Sequence, residues 1–308
     1  MRTKILYTLS IVLIVVLFIS YIYFSFSRNS TPEFKVAFIA DQGLSTSSQA
    51  VLNLIKTEHA DLIIHQGDFD YTDNPLAWDA QTSAILGNTF PQIAVLGNHE
   101  SKKIAEYRSL ISERMKANPE ITCVGTLGEQ SHCVYGNLQV VSVSPALSKS
   151  DAPLFIHNAF ATSTDSWRIC SWHVNQKIFQ VGDKKDEAGF GVYDACRKAG
   201  AMIVTGHEHS YERTYLLDDV VAPHIASKSS TLALEPGKTF VVVSGLGGHS
   251  IRPQKISEPW WAKVYSATQN ATFGSLFCTF NVGGNTKKAS CYFKDINNKI
   301  QDEFTITR

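Results

Sequence analysis

Apolar residues come in runs of two lengths along this chain. Near the N-terminus Ile5 to Phe24, ILYTLSIVLIVVLFISYIYF, extends for 20 positions without a charge. A helix rising ~1.5 Å per residue would carry such a run across a ~30 Å hydrocarbon layer. Arg2 and Lys4 precede it, Arg28 follows, and Tyr7, Tyr21 and Tyr23 sit near its ends. That bias predicts that residues 1–28 are a cytoplasmic tip and an uncleaved N-terminal transmembrane signal anchor, with the N-terminus inside and the C-terminus outside. The alternative is a cleaved signal peptide, whose apolar region is usually about 7 to 15 residues and ends in small residues. This run is longer, and SYIYFSFS offers no such end. Either reading sends the remaining chain out of the cytoplasm, tethered to a membrane or secreted.

Beyond a short linker, residues 29–33, the runs shorten and alternate. FKVAFIA reads as a strand, STSSQAVLNLIKTEH as a capped helix, LIIHQG as a strand, Pro75 to Leu86 as a helix and QIAVLG as a strand. ESKKIAEYRSLISERMKAN has the pattern of a charged amphipathic helix. From Thr122 the texture changes to short strands and tight turns: CVGTLG, HCVYG, LQVVSVS. A second alternating section follows, with RICSWH as strand, DEAGFGVYDACRKAG as helix and AMIVTG as strand, and the tail from TFVVVSGLGG reads as mixed and antiparallel strands. The pattern predicts one α/β (α+β) domain over residues 34–308, two sheets packed together with helices outside.

Composition adds little to that picture and charge removes one option. With 44% hydrophobic and 18% charged residues the chain can bury a substantial core. Lys plus Arg and Asp plus Glu both number 28, so nothing global attracts a polyanion, and no nucleic acid binding is expected beyond nucleotides taken as substrates. Six cysteines, all after the long apolar run, predict disulfides in an oxidising compartment. Hairpin geometry pairs Cys278 with Cys291 and Cys123 with Cys133, which leaves Cys170 and Cys196 either bonded or as two buried thiols. Asn29-Ser-Thr and Asn270-Ala-Thr match the glycosylation acceptor pattern.

The ends of the buried strands carry the chemistry. VAFIA runs into Asp41, LIIHQG into Asp68, QIAVLG into Asn98-His99-Glu100, RICSW into His173 and AMIVTG into His207-Glu208-His209. Ligands of α/β sheets gather outside the carboxyl ends of strands. Carboxylates, an amide oxygen and imidazoles, without thiols, suit zinc, manganese or iron. Asp41, Asp68, Asn98, His173, His207 and His209 are more than one tetrahedral ion uses, whereas two ions sharing an aspartate fit them. Such a pair, ~3.5–4 Å apart, supports in-line displacement at phosphorus.

DxG at Asp41 to Gly43, GDxxY at Gly67 to Tyr71, GNHE at Gly97 to Glu100, the lone His173 and GHxH at Gly206 to His209 resemble the ordered motif set of calcineurin-like metallophosphoesterases. Tyr71 and the stretch GHEHSYERT make the set similar to the purple acid phosphatase branch. The resemblance covers Phe34 to the C-terminus and implies a four-layer sandwich of two mixed sheets flanked by helices. It implies that Asp68 bridges two metal ions, that Asp41, Tyr71 and His209 complete a site for Fe(3+), and that Asn98, His173 and His207 complete one for Zn(2+), Mn(2+) or Fe(2+). A metal-bound hydroxide would then attack phosphorus, since coordination lowers the pKa of water from ~15.7 toward ~7. His99 would be the catalytic residue that contacts phosphate and protonates the leaving oxygen. Glu100 is a candidate for orienting an imidazole.

Two features depart from that family's pattern. Plant-type members carry a separate N-terminal β-domain, and here only about thirty residues precede the first strand. The stretch VNQKIFQVGDKKDEAG after His173 also lacks the further histidines many members place there, which turns Asn175, Gln176, Lys184 and Lys185 into candidates for substrate contact. Other residues have plainer readings. His65 reads as a histidine of the core or just behind the ligands, Asp70 and Asp73 as turn residues, Glu212 and Arg213 as an ion pair behind the metal loop in preference to substrate contacts, and Trp260 and Trp261 as packing or the rim of the site. His249 in SGLGGHS stands between a turn and an active-site role. Together these readings describe an acid phosphatase-type phosphomonoesterase acting on small phosphate esters. A phosphodiesterase acting on nucleotide or lipid head-group esters, and a catalytically inactive membrane-tethered binding protein, are the alternatives.

Overall fold

The structure is a computed structural model that describes residues 31–145, 147, 151–161 and 166–308. The expected transmembrane run and the Asn29 acceptor lie outside these residues, and among those described no helix is long and apolar enough to cross a membrane.

Two mixed sheets form the centre. One runs, edge to edge, through Thr231–Ala233, Ile300–Thr307, Lys288–Asp295, Gly274–Phe280, Phe34–Ile39, Leu62–His65 and Gln92–Ala94. The other runs through Trp261–Tyr265, Tyr211–Thr214, Val241–Ser244, Met202–Thr205, Trp167–Ser171, Leu138–Val143, Gln130–Tyr135 and Ile121–Thr126. The strands that lead into the proposed ligands lie side by side and parallel: Phe34–Ile39 with Leu62–His65 and Gln92–Ala94, and Trp167–Ser171 with Met202–Thr205. Their carboxyl ends therefore point the same way within each sheet.

These strands are apolar on both faces because both faces are covered. In FKVAFI, Val36 and Phe38 join Ile64, Val140, Ile169, Val204 and Val242 in the core between the sheets. Ala37 and Ile39 face the other way, against Val51, Leu52 and Ile55 of the helix Thr46–Thr57. On the far side Val141, Cys170 and Ile203 pack with Phe160 of the helix Ala152–Phe160 and with Val192 and Tyr193 of the helix Phe190–Ala199. The result is helix, sheet, sheet, helix.

All six cysteines are bonded, as Cys123–Cys133, Cys170–Cys196 and Cys278–Cys291. The first and last join residues directly opposite in antiparallel pairs, the geometry their symmetric flanks predict. Cys170–Cys196 ties the strand ahead of His173 to the helix that covers it.

Three local expectations change. The helix predicted from Asp186 begins only at Phe190, because Gly189 takes φ 81°, so Glu187 is left in a loop. The nine-residue helix Ala152–Phe160 was not expected, its proline near the start being its main signal. Glu212 and Arg213 are not an ion pair. Their side chains leave a strand on opposite faces, and Arg213 Nε and Nη2 reach Asp302 at 2.7 and 3.0 Å, joining one sheet to the other with Tyr211 Oη at 2.8 Å from the same carboxylate.

Candidate metal centre

Five loops leave the strand ends, and backbone hydrogen bonds already join several of them. The amides of Asp41, Gln42 and Gly43 donate to the carbonyls of Gly67, Asp68 and Phe69, and the amide of His249 donates to the carbonyl of Asp41. Glu100, fully buried in a short 3-10 turn, accepts from the amides of Gly97 at 2.7 Å, Phe69 at 2.8 Å and Asp68 at 2.9 Å. Its expected role of orienting an imidazole is thus corrected: it closes two ligand loops on each other. Burial, with the Asp68 carboxylate nearby, pushes its pKa up to about 8.

The backbone is held against its preference at the same places. Asp41, Asp68, Tyr71 and His207 adopt φ of 58°, 55°, 63° and 70°, a region that costs a non-glycine residue about 1–3 kcal/mol and persists only where surroundings impose it. Gly97 is required by contact: a Cβ there would run into Asp68 Oδ1 and the His173 ring.

Two groups of donor atoms result. In one, Tyr71 Oη lies 2.7 Å from Asp41 Oδ1 and 3.1 Å from His209 Nε2, which is 3.4 Å from Asp41 Oδ1. In the other, His173 Nε2 lies 3.0 Å from Asp68 Oδ2 and 3.2 Å from His207 Nδ1. Donor atoms bound at ~2.0–2.1 Å around a tetrahedral ion stand ~3.3 Å apart, so these spacings suit ligands gathered about a small cation. Asp68, His173 and His207 offer atoms that all lie within 4.8 Å of one another. Asn98 sits between Gly97 and His99, and its Oδ1 is buried with no hydrogen-bond partner among the described residues. Such an orphan acceptor costs about 1–3 kcal/mol unless something else binds it. The residues therefore fit metal ions.

The outer nitrogen of each imidazole is also engaged. His173 Nδ1 is 2.7 Å from the Gln66 carbonyl, which can only accept, so Nδ1 carries the proton and Nε2 is left facing Asp68. His209 Nδ1 meets Ser250 Oγ, and His207 Nε2 lies 2.8 Å from Glu187 Oε2. Neither Ser250 nor Glu187 was legible as part of the site, since each reaches it from a loop whose course no sequence pattern fixes.

Electrostatics follow from two buried carboxylates among imidazoles. Burial opposes charge on Asp41, yet His209 and His173 hold its pKa well below the usual range. Burial also works against a charged His173, but Asp68 outweighs it and lifts the pKa to about 9. His207 goes the other way, down to about 2, through burial and the neighbouring charge of His173. Tyr71 is kept a neutral phenol by burial and by Asp41 and Asp68. A cation between these groups reverses that sign.

Around the rim, the half-exposed His99 places Nε2 3.9 Å from Asp68 Oδ2, and its amide donates to Asp68 Oδ1 at 3.1 Å. The Tyr71 ring lies between His99, 4.5 Å away, and His249, stacked at 3.5 Å. His249 is thus brought to the site. Lys184 and Arg252 both donate to the His207 carbonyl, and burial lowers the Lys184 pKa to about 8 against the pull of Asp41. Asn175 and Gln176 are buried in bonds to Gly206, Tyr193 and Gly189, and Lys185 is exposed, so of the four expected substrate contacts only Lys184 joins the rim. His65 stays in the core beside Gln42, Asp73 pairs with Lys102, and Asp70 caps its turn while also taking the Tyr107 hydroxyl. The Trp260 indole donates to the Ile178 carbonyl, away from the donors.

Comparison with known proteins gives the family and the fold. The model of the calcineurin-like phosphoesterase family matches residues 34–211. The DNA double-strand break repair protein Mre11 of Methanosarcina mazei is 21% identical over 254 residues, 79% of this chain, which spans 37% of that relative's length. Among solved structures, the purple acid phosphatase PPD1 from yellow lupin (Lupinus luteus) superposes with a TM-score of 0.69 at 17% identity, covering 91% of this chain and 55% of that one. GAP50, the anchor in the inner membrane complex of Plasmodium, gives a TM-score of 0.59 at 12% identity, covering 90% and 89%.

Proposed function

This chain belongs to the calcineurin-like phosphoesterase family, hydrolases of phosphoester bonds, and from that premise we propose that it hydrolyses phosphomonoesters at a centre of two metal ions. The observation that carries this reading is the convergence of Asp41, Tyr71 and His209 at 2.7–3.4 Å beside Asp68, His173 and His207 at 3.0–3.2 Å. Asp41, Tyr71 and His209 would hold one ion, Asn98, His173 and His207 the other, and Asp68 would serve both. The phenol among the first set favours Fe(3+) there, and the nitrogen-rich second set suits Zn(2+), Mn(2+) or Fe(2+). When bound, such ions acidify water and neutralise the oxygens of an in-line displacement at phosphorus.

The chain's own groups do the rest. His99, half in solvent above Asp68, is placed to hold a phosphate oxygen and return a proton to the leaving group. Lys184 and Arg252 put two cations beside the donor ring. That charge favours a monoester, which brings a dianion, over a diester, which brings one negative charge. The test is a set of matched aryl phosphate monoesters and diesters assayed with defined metals. Monoester kcat/KM should exceed that for the diester by tenfold or more. A faster diester would make this chain a phosphodiesterase, and no turnover of either with two ions bound would favour the role of a tethered binding protein.

We further propose that the catalytic domain lies outside the cytoplasm, tethered by residues 1–28. Three disulfides support an oxidising compartment, and the charges flanking Ile5 to Phe24 support the orientation. Protease added to intact cells should digest the C-terminal domain, and protection of that domain would reverse the assignment.

A further inference from the structure

We infer that Glu187 is a positioning residue for the metal ion held by His173 and His207, and this rests on the reading given above. Its Oε2 lies 2.8 Å from His207 Nε2, on the side of the ring away from the donor cluster, while Nδ1 lies 3.2 Å from His173 Nε2. An ionised carboxylate can only accept a hydrogen bond, so Glu187 fixes the proton on Nε2 and leaves the Nδ1 lone pair free toward the centre.

The contact is built rather than incidental. The Glu187 amide donates to the Asn175 carbonyl at 3.0 Å, and the Asn175 side chain donates to the Gly206 carbonyl at 2.7 Å. One buried asparagine thus joins the loop that carries Glu187 to the loop that carries His207. Farther along, the Gly189 amide donates to Gln176 Oε1 at 2.7 Å and the Lys177 amide to Asp186 Oδ1 at 2.7 Å, so both flanks of Glu187 are anchored. His173 and His209 already hold their outer nitrogens on Gln66 and Ser250; Glu187 completes the set with its only charged member. A carboxylate in that position raises the basicity of the ligating nitrogen and locks the ring, and its loss typically costs 10–100-fold in metal affinity.

The test compares Glu187→Ala with Glu187→Gln in the whole protein, by competition with a chelator for bound Zn(2+) and by long-range proton–nitrogen NMR of the metal-free protein. The alanine variant should release one of two ions 10–100-fold more readily and hold the other as wild type does. The glutamine variant, which keeps an acceptor oxygen, should stay within about threefold of wild type. In metal-free wild type His207 should carry its proton on Nε2, and in the alanine variant it should become a mixture of tautomers. Unchanged affinity for both ions in the alanine variant, equal loss of both, or a wild-type proton on Nδ1 would overturn the inference. Absence of bound metal from wild type would instead overturn the reading of the site on which it rests.

Discussion

Tyr71 shows how far a single residue can be read. The resemblance of GDxxY to the family's motif implied that it is a ligand, and the structure brings its hydroxyl to 2.7 Å from Asp41 Oδ1. Without a metal, burial and the two aspartates hold the phenol neutral; with Fe(3+) beside it the phenolate should form and absorb visible light. Iron-loaded wild type should therefore show a visible band that Tyr71→Phe lacks, and an unchanged band in the variant would remove Tyr71 from the ligand set. Asp68 and His207 were equally legible because strand-end motifs announce them, while Glu187 and Ser250 were not. Glu100 lies between these cases. Its place in GNHE marked it as part of the site, but its work, holding three amides from two loops, depends on a tertiary approach that spacing along the chain does not record.

At the scale of elements, what was legible followed periodicity and what was missed followed contact. The helix expected over Pro75 to Leu86 forms over those residues, and Asn74 caps it by accepting from the Ala77 amide. The cluster that fastens the helix Thr46–Thr57 to its sheet was not legible: Glu58, at that helix's C-terminal cap, takes Lys294 Nζ at 2.6 Å, Lys35 Nζ at 3.5 Å and the Tyr292 hydroxyl. Burial raises the Glu58 pKa, but Lys294, Tyr292 and Lys35 outweigh it and leave it below 4.5. Because the folded-state pKa is depressed, the stabilisation is complete above about pH 4.5 and fades as pH falls through the folded value. Solvent screening limits it to about 1 kcal/mol. Glu58→Gln should thus be less stable than wild type by about that amount at pH 7 in urea unfolding, and the difference should shrink as pH falls through the folded value. A difference that stays constant across this range would show that the carboxylate charge contributes nothing.

For the whole molecule, the sandwich explains why a sequence with balanced charge carries so polarised a centre. Parallel strands in each sheet deliver their carboxyl ends to one rim, the inter-sheet core and the outer helices bury both strand faces, and Arg213 with Asp302 joins the sheets through that core. Fold class and layer order were legible from alternation and from the motif set, and two of three disulfides from hairpin symmetry. The third, Cys170–Cys196, joins a strand to a helix, for which no local symmetry exists. A scaffold this closed lets strained ligand loops persist, and the strain has a purpose only if metal occupies the centre. Elemental analysis of the purified protein tests that most directly. It should find two transition-metal ions per chain, falling in His207→Ala while the circular dichroism spectrum is kept; a fully folded wild-type protein that takes up no transition metal would contradict it.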